Sequence, residues 1–258
     1  MKDNTNNKEY WNEYVSYWEN KVKEANTDNK AFDKTSDDMN LERYVSKLEI
    51  EENDKVLDFG CGSARLFPIF KDNYYSSEYI GLDISRICLE HAQEKMIDLE
   101  IGKNLFEFDG ITIPFESNSF DKIVCFGVFD ACNQEIIIQE LLRVVKVGGG
   151  ILLTGKNQLY CQDDEAAYVA EVNARKKGHP NYFTDVKYLE KQLEEKEVDI
   201  IDRYYFLKRG DFVKDKYIKN MPDIFYEWAL FLRKTKTYKE GNMNKFSDTY
   251  SQTYYLRK

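Results

Sequence analysis

The segment Asp58-Phe59-Gly60-Cys61-Gly62-Ser63-Ala64-Arg65 follows a short apolar run, Lys55-Val56-Leu57, and sets a carboxylate two positions before a pair of glycines. Glycines at this spacing let the backbone turn tightly and approach a ligand closely. A helix starting just after the turn aims its free N–H groups and positive dipole end at that ligand. Further on, Asp83 closes a second apolar run, Tyr79-Ile80-Gly81-Leu82, where a carboxylate can accept both hydroxyls of a ribose. A dinucleotide fingerprint needs a third glycine, and Arg65 stands at that position. No Gly-Lys-Ser/Thr follows, so the loop is not a phosphate-cradling P-loop either. Asp58 would repel a pyrophosphate and suits a ligand carrying an ammonium or sulfonium, since opposite charges attract in a partly dry cleft.

These residues need strands that end at one level and helices that begin there. Residues 55–59 and 79–83 read as buried strands, 63–71 and 85–95 as the helices after them. Residues 106–108 and 121–127 give a third and a fourth strand. Residues 134–145 place Ile137, Leu141, Val144 and Val145 on one helical face, which Gly148-Gly149-Gly150 ends before a fifth strand at 151–154. Strands alternating with helices predict a parallel sheet covered on both faces. Residues 183–195 read as a helix, and 198–206 and 225–233 as strands, the latter alternating as a half-exposed strand would. The tail at 235–258 is polar and Tyr-rich and predicts no element. At the other end, Tyr10, Tyr14, Tyr17 and Trp18 recur at helical spacing, with Trp11 seven residues before Trp18. A second helical pattern covers 39–48.

The composition bounds the function. The 258 residues suit one α/β domain with additions. A net charge of −9 disfavours a large nucleic-acid footprint. The cluster Lys208, Arg209, Lys214, Lys216 and Lys219 is the one basic stretch and reads as a solvated face. Five cysteines, an odd number with no CxxC pair, fit neither a disulfide framework nor a zinc knuckle. With no signal peptide and no apolar run long enough to span a membrane, the expected location is the cytoplasm, with reduced thiols. No metal is expected; the run Asp163-Asp164-Glu165 reads as a helix start.

Four segments, in order, resemble the class I S-adenosylmethionine-dependent methyltransferases. They are Val56 to Ala64, Tyr79 to Ser85, Ile113-Pro114-Phe115 with Ser119 to Val124, and Leu141 to Gly149. Val147 departs from the pattern, since many relatives have proline there, and this changes only a turn. The resemblance covers residues 50–155. It implies a Rossmann-like doubly wound α/β sheet, mostly parallel with an antiparallel C-terminal edge strand, helices on both faces and an N-terminal helical lid. Residues 1–48 would form that lid and 49–258 the domain binding S-adenosylmethionine, whose product form is S-adenosylhomocysteine. Asp58 and the backbone at Gly60, Cys61 and Gly62 would hold the methionine amino end. Asp83 would take the ribose hydroxyls, Ile84 would pack on the adenine, and Asp109 beside Gly110 would meet the adenine amino group. Asp109 also reads as a turn former, and Ile84 as a core residue. Phe126 and Gly127 would line the cofactor near its methyl.

The acceptor should lie beyond the carboxyl ends of the strands. Asp130, Lys156, Asn157 and Tyr160 are expected there, with specificity carried by an insertion at 158–182. The candidate bases are His179 in that insertion, Asp130 and Lys156; His91 reads as a surface residue. The aromatic stripe reads either as a face that docks the helix on the domain or, through Tyr10, Trp11, Tyr14 and Trp18, as a lid over the cofactor and a substrate wall, and the two are compatible. The expected reaction is methyl transfer to a small molecule, at an oxygen of a metabolite or saccharide-type substrate. The alternatives are an RNA or protein acceptor, or a non-catalytic partner subunit. No membrane or nucleic-acid partner is expected.

Overall fold

A computed structural model describes residues 4–27, 37–74, 76–97, 101–161 and 163–249. The N-terminal helices are α1 (Lys8–Glu13), α2 (Val15–Thr27) and α3 (Asp38–Ser46). Alternating elements follow: β1 (Lys55–Phe59), α4 (Leu66–Asn73), β2 (Glu78–Asp83), α5 (Arg86–Lys95), β3 (Leu105–Glu107) and β4 (Phe120–Cys125). Then come α6 (Gln134–Val144), β5 (Val145–Lys156), α7 (Glu165–Lys176), β6 (Tyr182–Thr184), α8 (Val186–Glu195), β7 (Val198–Phe206), β8 (Glu227–Lys234) and β9 (Ser247–Thr249).

Seven strands form one sheet in the order β3-β2-β1-β4-β5-β8-β7. The first five are mutually parallel, and β8 runs antiparallel to both neighbours. Side-chain alternation sorts the core into two layers. Leu57, Phe59, Ile123, Ile151, Leu153 and Leu230 pack with Ile137 and Leu141 of α6 and Leu189 and Leu193 of α8. Val56, Val124, Leu152 and Ala229 meet Tyr44 and Val45 of α3, Leu66 and Phe70 of α4, and Leu89 and Ala92 of α5. This is the doubly wound arrangement that the strand–helix alternation implies.

Polar residues set the helix starts. Asp37, Ser85, Asn133, Asp164 and Asp185 each accept a backbone N–H from the first turn of the helix they precede. Asp185 explains why α8 begins later than the apolar pattern suggests: Tyr182–Thr184 form β6 instead, paired with β9. The described part of the C-terminal tail is held by Glu135, whose Oε1 accepts the backbone N–H groups of Phe246 and Ser247, each at 2.7 Å. The glycine triplet does not precede the fifth strand but lies inside β5, where pairing shifts from Phe120↔Val145 to Lys122↔Gly150. Within the expected insertion, α7 supplies a regular helix.

The strand read at 225–233 differs from the half-exposed expectation. β8 is almost wholly buried, because β7 pairs along its outer side. Its reversed direction brings its first residue, Glu227, opposite Lys156 at the end of β5. The neighbouring pair is Gly155 and the fully buried Trp228. A Cβ at 155 would stand 2.6 Å from Trp228 Cζ2 and 3.0 Å from its Cε2. Gly155→Ala should therefore destabilise the fold by about 1–3 kcal/mol through overpacking, read from the urea midpoint at unchanged slope; an unchanged midpoint would show that the indole has room to move.

Candidate functional site

The chain leaves β1 toward β2 and β3, then crosses to β4 and β5 on the other side. The loops after β1 and β4 therefore diverge and open a crevice, the ligand position in open α/β sheets. A cavity of about 1280 Å³ occupies it and continues toward the ends of β5 and β8.

At the β1 end, the N–H groups of Gly60 and Cys61 both donate to Leu82 O, at 2.7 and 3.0 Å. Gly60 has φ +71°, and a Cβ there would fall 2.5 Å from Val128 Cγ1, so neither the turn nor the packing admits another residue. Asp83 bridges two loops: its Oδ2 accepts from Gly62 N and its Oδ1 from Ser85 N, both at 2.8 Å. Burial raises the Asp83 pKa, against the lowering effect of those N–H groups. Asp58 lies just behind the loop and accepts the Tyr79 hydroxyl at 2.7 Å. Burial pushes its carboxyl up to about 7, the Tyr79 hydrogen bond opposes this, and the charge of Asp83 adds to it.

The sequence-derived cofactor residues divide on position. Gly60, Cys61, Gly62, Asp83, Ile84, Gly110, Phe126 and Gly127 line the cavity. Asp58 does not, since its carboxylate is turned onto Tyr79. Asp109 is exposed outside it, and its Oδ1 caps the N–H groups of Ile111 and Thr112 at 2.8 and 2.7 Å. It serves as the turn former.

Helices α1 and α2 roof the cavity. On one side Asn12 Oδ1 accepts from Ser85 Oγ at 2.7 Å and from Ile87 N at 3.3 Å. Glu19 pairs with His91 and Lys95 of α5, so His91 is a docking residue and not a free surface group. On the other side the roof meets the insertion. Asn4 Nδ2 donates to Gly178 O at 3.0 Å, Tyr14 Oη donates to Lys177 O at 3.3 Å, and the Tyr10 hydroxyl bonds His179 Nδ1. The rings of Tyr14, Tyr17 and Trp18 lie 4.6, 5.5 and 5.2 Å from the imidazole. Trp11 and Trp18 line the cavity, whereas Tyr10 and Tyr14 spend their faces on His179.

Beyond the strand ends lies a polar wall. Lys156 Nζ contacts Asp130 Oδ2 at 2.9 Å, Glu171 Oε1 at 3.4 Å and Asn181 Oδ1 at 3.0 Å. Glu171 also accepts from Asn181 and Tyr226. Arg209 Nη1 contacts the Tyr226 hydroxyl at 3.1 Å. Asp130, Lys156, His179, Glu171, Arg209 and Glu227 all line the cavity. Arg209 is thus a cavity residue and no part of a solvated basic face; Lys208 and Lys219 are ion-paired to Asp163 and Asp202. Two expected wall residues are elsewhere. Asn157 is buried, with Nδ2 on Leu159 O and Phe225 O, and Tyr160 fills a small core with Phe183 and Tyr226. β5 runs to Lys156, so the chain turns inward where a cavity wall was expected. Glu171, Arg209 and Glu227 escaped the sequence reading because only the tertiary fold assembles them. Glu227 carried one signal, its place near the start of the strand read at 225–233.

Residues 57–153 match the family model described as "Methyltransferase domain". Over this stretch the chain is similar to methyltransferase domains, which supports a class I S-adenosylmethionine-dependent methyltransferase. A protein of Methanocaldococcus jannaschii described as uncharacterized is 33% identical over 118 residues, 45% of this chain and 43% of that protein. Demethylmenaquinone methyltransferase of Staphylococcus saprophyticus is 30% identical over 118 residues, 45% of this chain and 50% of that one. The chain spans about half the length of the curated relatives it matches. Among solved structures, geranyl diphosphate C-methyltransferase from Streptomyces coelicolor, holding S-adenosylhomocysteine, superposes with TM-score 0.62 at 12% identity over 88% of this chain and 98% of that one. The cyclase SpnF superposes with TM-score 0.57 at 16% identity over 76% of this chain and 80% of that one. These likenesses show the fold, on which different chemistries sit.

The site fits the cofactor of this domain. The β1 turn presents backbone to the cavity with the Asp83 carboxylate beside it, and its one cation, Arg65, is paired with Asp38 at 2.7 Å. Open space lies above Gly62 and Gly127, where an added Cβ would meet nothing within 4 Å.

Burial lowers the His179 pKa to about 4, and the charges of Lys177 and Lys156 add to this. A docked imidazole is then neutral, while an undocked one protonates near 6.5. Roof docking is fully stabilised above about pH 6.5 and weakens as pH falls from there toward 4. Amides of residues 8–27, corrected for intrinsic rates, should exchange faster with deuterium at pH 5 than at pH 7.5, and His179→Gln should remove the difference. Equal protection at both pH values in the wild type would contradict this latch.

Proposed function

We propose that the chain transfers a methyl group from S-adenosylmethionine to an oxygen of a small-molecule acceptor, of metabolite or saccharide type. The observation that carries this reading is the continuous cavity that joins the β1–β2 cofactor loops to the charged wall at the ends of β5 and β8. Its roof, α1 and α2, is tied to both sides, which favours an acceptor small enough to be enclosed. Charged and amide side chains on the far wall, Lys156, Glu171, Asn181 and Arg209, suit a polar acceptor better than an apolar ring. The ion pairs of Lys208 and Lys219 count against a basic track for RNA. The curated demethylmenaquinone methyltransferases match less than half of this chain. The match to the family model ends at residue 153, so the acceptor wall from Lys156 onward lies outside it.

Bound cofactor supplies an electrophilic methyl on a cationic sulfur. The chain's own contribution is placement. Asp83 has acceptor capacity beyond its two N–H bonds and faces the cavity, so it takes the ribose hydroxyls. The Asp58 carboxylate, one shell behind Gly60, supplies the negative potential felt by the amino end. The roof excludes water and holds the acceptor in line with the methyl, and such alignment supplies much of the rate of a displacement.

Calorimetry tests both roles. Asp83→Ala should weaken S-adenosylhomocysteine binding by about tenfold or more through loss of charge-assisted hydrogen bonds. Since Asp58 titrates near 7, its charged form dominates above that pH and its neutral form below. Affinity for the ammonium-bearing S-adenosylhomocysteine should therefore rise by about tenfold from pH 6 to pH 8, and Asp58→Asn should flatten the rise. Absence of any binding by the wild type would sink the cofactor assignment, and a flat profile would remove Asp58 from it.

A further inference from the structure

We propose that Glu227 is the catalytic base of this site, taking the proton from the acceptor's hydroxyl as the methyl is transferred. This rests on the methyltransferase reading above and assigns the group that reading leaves open. Three observations carry it.

The first is position. β8 runs against the rest of the sheet, so its first residue arrives at the carboxyl ends of the parallel strands, opposite Lys156. A carboxylate at the start of any parallel strand would lie at the far end of the domain. Glu227 lines the same cavity as Asp83, Phe126 and Gly127.

The second is availability. Asp130, Glu171 and Lys156 are committed to one another, and His179 is engaged by the roof through one nitrogen. Asp130 pairs with Lys156, and Glu171 holds Lys156, Asn181 and Tyr226. Lys156 stays protonated between its two carboxylates, which raise its pKa well above the ordinary value against the effect of burial. His179 binds the Tyr10 hydroxyl through Nδ1, and its Nε2 is buried without a hydrogen-bond partner among the described residues. Glu227 faces the cavity with neither a hydrogen bond nor an ion pair among the described residues.

The third is environment. Burial raises the Glu227 pKa to about 7. Arg209, from the segment after β7, and Lys156, from β5, lower it; Asp130, after β4, and Glu171, on α7, raise it. A base with a pKa near the working pH is both present in its basic form and strong enough to accept the proton.

The step balances. The acceptor O–H bond breaks and its proton goes to a Glu227 carboxylate oxygen. The acceptor oxygen forms a bond to the methyl carbon, and the carbon–sulfur bond breaks with its electron pair left on sulfur. The products are the methyl ether, S-adenosylhomocysteine and protonated Glu227, which returns its proton to solvent.

The test needs no acceptor. Sinefungin carries an ammonium-bearing carbon where S-adenosylmethionine carries its methylated sulfur, whereas S-adenosylhomocysteine carries an uncharged thioether sulfur there. Calorimetry with both ligands at pH 5.5 to 8.5 gives their affinity ratio, in which groups that both ligands meet, Asp58 among them, cancel. The wild type should favour sinefungin by about tenfold above pH 7 and lose the preference below it, as Glu227 is protonated. Glu227→Gln should abolish the preference at every pH with S-adenosylhomocysteine affinity within about twofold of wild type, which also shows that the variant folds. Glu227→Asp should retain part of it. An unchanged ratio in Glu227→Gln overturns the assignment, and a ratio lost only in Asp130→Asn transfers the role to Asp130. Failure of the wild type to bind either ligand defeats the methyltransferase reading instead.

Discussion

The buried carboxylate of Asp83 holds the site in shape. It joins the turn after β1 to the turn after β2 by accepting one N–H from each, Gly62 and Ser85. Burying a carboxylate is costly unless its oxygens are satisfied. Here the satisfying donors are the backbone of Gly62, in the turn before α4, and of Ser85, the N-cap of α5, whose dipole favours negative charge. The roof is keyed to the same point. Asn12 reaches from α1 to Ser85 and Ile87, the first residues of the helix whose N-terminus Asp83 holds. Displacing that turn would therefore disturb the cofactor crevice and its cover together.

The reversed strand β8 gives the domain its second half. Five parallel strands end at one level and produce a crevice made mainly of backbone and small residues. They place few side chains that could handle a proton. β8 enters from the opposite direction and presents Glu227 at that level, next to Lys156. Trp228, buried beside Gly155, locks the register, so the carboxylate cannot slide along the sheet without expelling an indole from the core. β7 closes the outer side and turns the chain toward Arg209. The acceptor wall is thus a product of strand direction, and α7 contributes Glu171 to it from the insertion.

What could be read from the sequence follows from the range over which each signal acts. The glycine turn, Asp83 and the helix starts at Ser85 and Asp164 are local: residue type and a few neighbours decide them, and they stand where the pattern puts them. The aromatic stripe of α1 and α2 was legible as a docking face, but not its partner, because the His179 it surrounds lies far along the chain. Asn157 and Tyr160 misled for a related reason. Proximity in sequence to a strand end suggests proximity to the cavity, yet the chain folds back and spends both residues inside the protein. Arg209 read as one of several surface cations until its burial beside Tyr226 was visible. The burial of β8 was hidden because alternation reports a half-exposed strand only when nothing pairs outside it, and β7 does.

Asp58 and Glu227 show how burial alone leaves a carboxyl group's role open. Burial lifts both to about 7. Asp58 has the Tyr79 hydroxyl as a fixed donor and sits behind the loop, so its charge acts through space on whatever cation the loop receives. Glu227 has no fixed donor among the described residues and faces the cavity, so a proton it exchanges passes to or from a bound group or solvent. The same desolvation thus makes one carboxylate an electrostatic support and the other a proton acceptor, and the difference lies in one hydrogen bond and the direction of one strand.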